Sequence, residues 1–247
     1  MKLCVVIPVY NHGDAIGGVV ASVLRHRLPC LMVDDGSEPG CAQRIRELVA
    51  AHPENVCALR LDVNQGKGAA MLAGFREAGR LGYSHALQID ADGQHDGDDL
   101  PRFAALAAQH PQAVICGTPV YDASVPKGRL YGRYLTHVWV WINTLSFAIR
   151  DSMCGFRVYP LAETIALINS ARIGKRMDFD TEIAVRLHWC GLEIINMPTR
   201  VRYPAGGVSH FRLFRDNALI SRMHTRLFFG MLLRLPKLVI RNIRRVY

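Results

Sequence analysis

Apolar residues fall in short runs at Leu3–Val9, Cys30–Val33, Val56–Leu61, Ala86–Ile89 and Ala113–Cys116, interrupted only at Arg60 and Gln88. Short continuous runs of this kind predict strands buried on both faces, because a half-exposed strand would alternate apolar and polar positions. Between the runs, apolar residues return at helical spacing over about Gly13–Leu28, Gln43–Ala51, Gly68–Leu81 and Asp98–Gln109. Asp98 is expected to cap the last of these, with Pro101 inside the first turn. Strands alternating with helices predict an α/β domain with a mixed, mainly parallel sheet covered on both sides.

The alternation loosens beyond residue 117. Tyr121–Arg133 is polar and broken by glycine and proline, and His137–Ile149 is an apolar, aromatic-rich run of thirteen residues. That is too short to span a bilayer, which takes about 20. Leu227–Ile240 is interrupted by Arg234, Pro236 and Lys237 and suits a helix lying in a membrane interface. Charge reinforces this division. Val201–Tyr247 carries ten Lys or Arg against the single acid Asp216, while residues 1–200 hold twenty of each sign. A neutral body with a basic, apolar end points to an anionic surface met at one end and away from nucleic acid as the partner. The seven cysteines form no C-x-x-C pair, and no charged-then-apolar leader precedes the first strand, so a reduced, cytoplasmic chain is expected.

Ligands of open α/β sheets sit at the carboxyl ends of the strands. Four polar clusters follow predicted strands here: Tyr10-Asn11-His12, Asp34-Asp35-Gly36-Ser37, Asn64-Gln65-Gly66-Lys67-Gly68 and Asp90-Ala91-Asp92-Gly93-Gln94-His95. They should converge on one crevice. Asp90 and Asp92 could share a hard divalent ion, Mg²⁺ or Mn²⁺, bridging phosphate oxygens, with the Gln94 amide as a further ligand and His95 close by. A solvated acidic loop accounts for the doublet taken alone. Asp34 and Asp35 suit ribose hydroxyls or a base N–H, although a turn needs the same letters. Lys67, between two glycines, could meet a diphosphate or simply be solvated.

Other nucleotide-binding classes fail on the residues. Gly66-Lys67-Gly68-Ala69-Ala70 lacks the third glycine of a dinucleotide fingerprint, and no phosphate-binding G-x-x-x-x-G-K-[ST] loop occurs. No Gly-x-Gly-Thr-Arg loop of a nucleotidyltransferase follows the first strand, and an Asp-x-Asp-x-Thr phosphatase would need a hydroxyl residue where Gln94 stands. A membrane-surface protein that binds a nucleotide-sugar without turnover is the non-enzymatic alternative, and a nucleotidyltransferase on the same architecture stays open as a minor enzymatic one.

Taken together, the clusters resemble glycosyltransferase family 2, and within it the polyprenyl-phosphate (dolichyl-phosphate) mannose and glucose synthases. The resemblance spans Leu3 to Tyr203. It rests on Ile7-Pro8-Val9-Tyr10-Asn11, Val33-Asp34-Asp35-Gly36-Ser37, Asn64 to Ala70, Asp90 to His95 and Asp151-Ser152-Met153-Cys154-Gly155-Phe156-Arg157. It implies one nucleotide-diphospho-sugar transferase domain of the GT-A, Rossmann-like kind over 1–205. Residues 1–117 would form the nucleotide-sugar-binding half and 118–205 the acceptor half, followed by a basic amphipathic helical tail over 206–247. Pro8, Tyr10, Asn11, Asp34, Asp35, Lys67, Asp90 and Ala91 would then line the donor site, and Asp90, Asp92 and Gln94 would engage the metal. Glu182, in Asp178-Phe179-Asp180-Thr181-Glu182, matches an acidic position facing the acceptor. The chain departs from the family's pattern at His12, at Gly117-Thr118-Pro119 and at Cys154.

The expected reaction is metal-assisted, inverting transfer of a sugar from a GDP- or UDP-sugar to a lipid-linked acceptor, on the cytoplasmic face of an anionic membrane. Asp92 would stabilise the departing diphosphate. An acceptor phosphate needs only positioning, with Arg129, Arg133, Arg157, Asp151, His210 and Arg212 as candidates, whereas a hydroxyl needs a base such as Glu182 or Asp180.

Overall fold

A computed structural model describes residues 1–121, 127–202 and 212–246. The strands are β1 (Leu3–Val9), β2 (Cys30–Asp34), β3 (Val56–Arg60), β4 (His85–Gln88), β5 (Val114–Tyr121), β6 (Arg157–Pro160) and β7 (Ile194–Val201). The helices are α1 (Gly13–Arg25), α2 (Pro39–Ala51), α3 (Lys67–Arg80), α4 (Leu100–Gln109), α5 (Lys127–Thr144), α6 (Leu161–Ser170), α7 (Phe179–Trp189), α8 (Leu213–Leu232) and α9 (Leu235–Val246).

The strands form one sheet in the order β3-β2-β1-β4-β6-β5-β7. All neighbours run parallel except β6, which is antiparallel to both β4 and β5. The apolar runs of the central strands β1 and β2 have the expected cause, burial on both faces, whereas the edge strand β3 is half-exposed beyond Val56. Every residue of β1 is buried, with Cys4 and Val6 in one core and Leu3, Val5, Ile7 and Val9 in the other. Pro8 is tolerated in this central strand because its nitrogen faces the β4 side, where β4 has already ended at Gln88.

Three expectations are corrected. Most of the apolar run from His137 lies in α5, which begins at Lys127, inside the stretch read as polar and broken by glycine and proline, while β5 extends to Tyr121. Residues 117 and 118, the expected division between halves, therefore lie within one strand of a continuous sheet. The cap of α4 is also displaced: Asp96 accepts the N–H of Asp98 at 3.1 Å and starts a 3-10 turn over Gly97–Asp99, α4 begins at Leu100, and Asp98 is exposed and pairs with Arg25. Finally, the basic C-terminal region is not an appendage. Met223, Leu227 and Met231 of α8 and Leu238 of α9 are buried in the core shared with α7 and Val140 of α5.

Candidate active site

The carboxyl ends of β1, β2 and β4 and the start of α3 lie together, as their parallel order requires. Asn11 takes a left-handed φ of 57°, donates its N–H to Ser37 Oγ at 3.1 Å and accepts the Glu38 N–H at 2.8 Å, joining the β1 and β2 loops. Pro8 is buried and Tyr10 half-buried beside them. Asp34 is buried, accepts the N–H of Ser37 at 2.8 Å and pairs with Arg60. Asp35, also buried, accepts the N–H groups of Gln65 and Gly66, each at 2.8 Å. Burial pushes the Asp35 pKa up, and these two donors only partly offset it. Both acids thus shape the loops around the crevice, and Asp35 in particular sets the loop that precedes Lys67.

Lys67 opens α3. Its Nζ lies 2.8 Å from Asp90 Oδ1 and 2.8 Å from Asp180 Oδ2, and it donates to Asp90 Oδ2 at 3.0 Å. The approach depends on glycines. Gly66 has φ +105°, and a Cβ there would stand 2.4 Å from the carbonyl oxygen of Lys175, so no other residue lets α3 begin against the loop leading into α7. Gly155 lies against Asp90, where a Cβ would meet the carboxylate oxygens at 2.3 and 2.5 Å. Burial opposes ionisation of Asp90, but the Lys67 ammonium and then His95, 3.8 Å away, hold its carboxyl well below the ordinary range. The same pairing, with Asp180 foremost, outweighs burial at Lys67 and raises its pKa.

Asp92 follows two residues on and accepts the backbone N–H of Gln94 at 3.0 Å, with Ala91 buried between the two acids. The loop is tied to the end of β7: Gln94 O accepts the Arg202 N–H at 3.0 Å, and His95 bridges Val201. Among the described residues no three His, Cys, Asp or Glu side chains form a metal cage. Two carboxylates at a strand end suit Mg²⁺ or Mn²⁺, ions that commonly take one or two protein carboxylates and complete their shell with water and substrate phosphate. Asp90 Oδ1, buried and held among the described residues by its ion pair with Lys67 at 2.8 Å, fits that use where the ammonium gives way.

The remaining candidates separate. Arg133 makes a two-pronged pair with Asp151 at 2.5 and 2.8 Å, and Asp151 accepts the N–H groups of Met153 and Cys154. Burial would raise the Asp151 pKa, but Arg133 more than reverses this. Arg157 is fully buried beneath the crevice and donates to the Asp180 carbonyl at 2.5 Å, so it supports the site from below and cannot meet an acceptor directly. Arg212 is exposed, and its N–H caps α8 through Asp216 at 2.7 Å. The side chain of Arg129 and all of His210 lie outside the described residues.

Glu182 does not stand where a base is needed. It is fully buried in α7, takes Arg186 at 2.8 Å, Arg226 of α8 at 2.5 Å and the Gly174 N–H at 2.8 Å, and so clasps two helices and a loop. Asp180 is likewise engaged, by Lys67 and by the Gln88 amide at 3.0 Å. Gln88, whose Oε1 accepts from Tyr159 Oη at 3.1 Å, was not among the expected site residues. Its signal was present, since a lone amide in the buried run Ala86-Leu87-Gln88-Ile89 must find a partner.

A mainly parallel sheet with one reversed strand, whose crevice brings Lys67 at the start of α3 to the Asp90–Asp92 loop after β4, defines a nucleotide-sugar-dependent transferase of the GT-A kind. The chain belongs to glycosyl transferase family 2, whose profile matches residues 4–170. It is therefore a glycosyltransferase. It is 30% identical over 226 residues to the polyprenol monophosphomannose synthase of Mycolicibacterium smegmatis, covering 84% of this chain and 80% of that one. It is 27% identical over 209 residues to the undecaprenyl-phosphate mannosyltransferase of Micrococcus luteus, covering 80% and 82%. In fold it matches a mannosyltransferase of Pyrobaculum calidifontis in complex with GDP-Man and Mn²⁺, with a TM-score of 0.60, 15% identity and coverage of 97% of this chain and 73% of that one.

Proposed function

We propose that the enzyme transfers a sugar from a GDP- or UDP-sugar to a polyprenyl phosphate at a membrane surface, with Asp90 and Asp92 holding the divalent ion. The observation that carries this reading is the half-buried Asp90 carboxylate, held just past the end of β4 against Gly155 and paired with Lys67, with Asp92 two residues on. A divalent ion bound there supplies positive charge to the leaving diphosphate. Pro8, Tyr10, Asn11 and the loops shaped by Asp34 and Asp35 surround the nucleoside. An acceptor phosphate oxygen forms its bond to the anomeric carbon as the bond to the diphosphate oxygen breaks, with inversion.

The pairing of the acids supports a phosphate acceptor over a hydroxyl. Glu182 is bound by two guanidinium groups and Asp180 by an ammonium, so neither is poised to take a proton. A phosphate diester-forming acceptor is already ionised and needs none. Arg133 of α5, paired with Asp151, is the candidate nearest in kind to position it.

No described helix is long and apolar enough to cross a membrane. The membrane reading is supported by Tyr134, Leu135, Val138, Trp139 and Ile142 of α5 and by Phe229, Leu232 and Leu233 at the end of α8, all exposed, with Arg222, Arg234 and Lys237 exposed along α8 and α9. Basic residues near an anionic leaflet contribute about 1 kcal/mol each. The experiment is a panel of GDP- and UDP-sugars with Mn²⁺, read by thermal shift and by release of nucleoside diphosphate in the presence of polyprenyl phosphate. One donor should be selected and Asp92→Asn should abolish release; full release by Asp92→Asn sinks the assignment.

A further inference from the structure

The reaction as proposed leaves the position of Lys67 unexplained. Its side chain is only 19% exposed, and its ammonium bridges Asp90 and Asp180, residues 90 positions apart in the chain. Three constraints place it there. Asp35 holds the N–H groups of Gln65 and Gly66, Gly66 and Gly68 seat α3 against the Gly174–Lys175 backbone, and Asp180 is pre-set by a buried relay. In that relay Tyr159 donates to Gln88 Oε1, which turns the amide nitrogen of Gln88 onto Asp180 Oδ1 and leaves Oδ2 for the lysine. Gln88 and Tyr159 are fully buried. A solvated lysine would need none of this.

An ammonium within 3.0 Å of both oxygens of Asp90 occupies the lone pairs a divalent ion would use. We propose that Lys67 is a resident counter-ion of the metal site. Without donor it neutralises Asp90 and opposes divalent binding, and when ion and diphosphate arrive together it stays on Asp180 and turns its charge to the diphosphate. Asp180 is its holder. Both are positioning residues that make the ion's affinity depend on the nucleotide. The inference rests on the reading that Asp90 and Asp92 hold the ion.

The test uses Mn²⁺ alone, with the free ion counted by electron paramagnetic resonance, against the full chain and its Lys67→Met, Asp180→Asn and Asp92→Asn variants, each checked for an intact unfolding transition. Removing a competing charge at contact distance in a partly enclosed site should tighten Mn²⁺ binding by Lys67→Met about tenfold. Asp180→Asn should weaken it, because Lys67 is then left to Asp90 alone. Adding GDP or UDP should tighten Mn²⁺ by a larger factor in wild type than in Lys67→Met. A structural role alone would weaken binding in both variants. Folded Lys67→Met that binds Mn²⁺ no more tightly than wild type overturns the proposal. Should Lys67→Met not fold, unchanged or tighter binding by Asp180→Asn overturns it. Mn²⁺ binding by Asp92→Asn equal to wild type removes the metal assignment itself, and the inference with it.

Discussion

Glu182→Gln separates a clasp from a catalytic base. The substitution keeps the shape and leaves Arg186, whose side chain is 16% exposed, and Arg226, 45% exposed, without their counter-charge. Deleting one partner of a buried ion pair costs about 3–5 kcal/mol, because the remaining charge stays desolvated. Here Arg226 can turn to water and the glutamine can still accept from Gly174, so about 2 kcal/mol is the better expectation. For a domain of this size that lowers the midpoint of thermal unfolding by roughly 4–8 °C. The assays are urea unfolding followed by circular dichroism, and sugar transfer measured well below the midpoint. The account predicts lower stability with transfer within about threefold of wild type, since about 0.6 kcal/mol of lost transition-state stabilisation corresponds to such a factor. Loss of transfer by orders of magnitude with unchanged unfolding would restore Glu182 as a base and refute the clasp.

Other perturbations follow from the same geometry. Gly155→Ala drives a methyl into the Asp90 carboxylate and should abolish Mn²⁺-dependent donor binding, read by thermal shift with nucleotide, while unfolding of the free protein changes far less. Leu227→Ala, at a fully buried position of α8, should cost about 2–4 kcal/mol in denaturant unfolding, whereas an unattached tail would show no change. His224 stacks on Trp139 and takes Asn143 at 3.2 Å, and burial lowers its pKa to about 4. The unfolded chain therefore binds its proton first as pH falls. Stability held above pH 6.5 should decline toward pH 4 by about 3 kcal/mol, and His224→Gln should flatten that part of the profile.

The crevice was legible because the central strands of a mainly parallel sheet, buried on both faces, are written as apolar runs. The polar cluster that follows each run must then lie at one edge, which placed Asp35, Lys67, Asp90 and Asp92 together before any coordinates. What escaped was pairing over long separations. Glu182 looks like an ordinary first-turn acid of a helix, and nothing local says that Arg226 will reach it from 44 residues away. Asp180 and Lys67 read separately as a base and a phosphate ligand, although their mutual pairing decides what either can do. The end of the chain misled through composition: its arginines among apolar residues suggested a tail lying in a membrane interface, while Met223, Leu227 and Met231 at helical spacing carry the core-facing stripe of α8.

The central claim is tested most directly by mass spectrometry of the lipid product formed from polyprenyl phosphate and the donor selected in the panel, with Mn²⁺ present. The account predicts a polyprenyl phosphate heavier by one sugar, formed by wild type and absent with Asp92→Asn or with chelator. A sugar recovered only on a hydroxyl acceptor, or lipid product formed undiminished by Asp92→Asn, would contradict it.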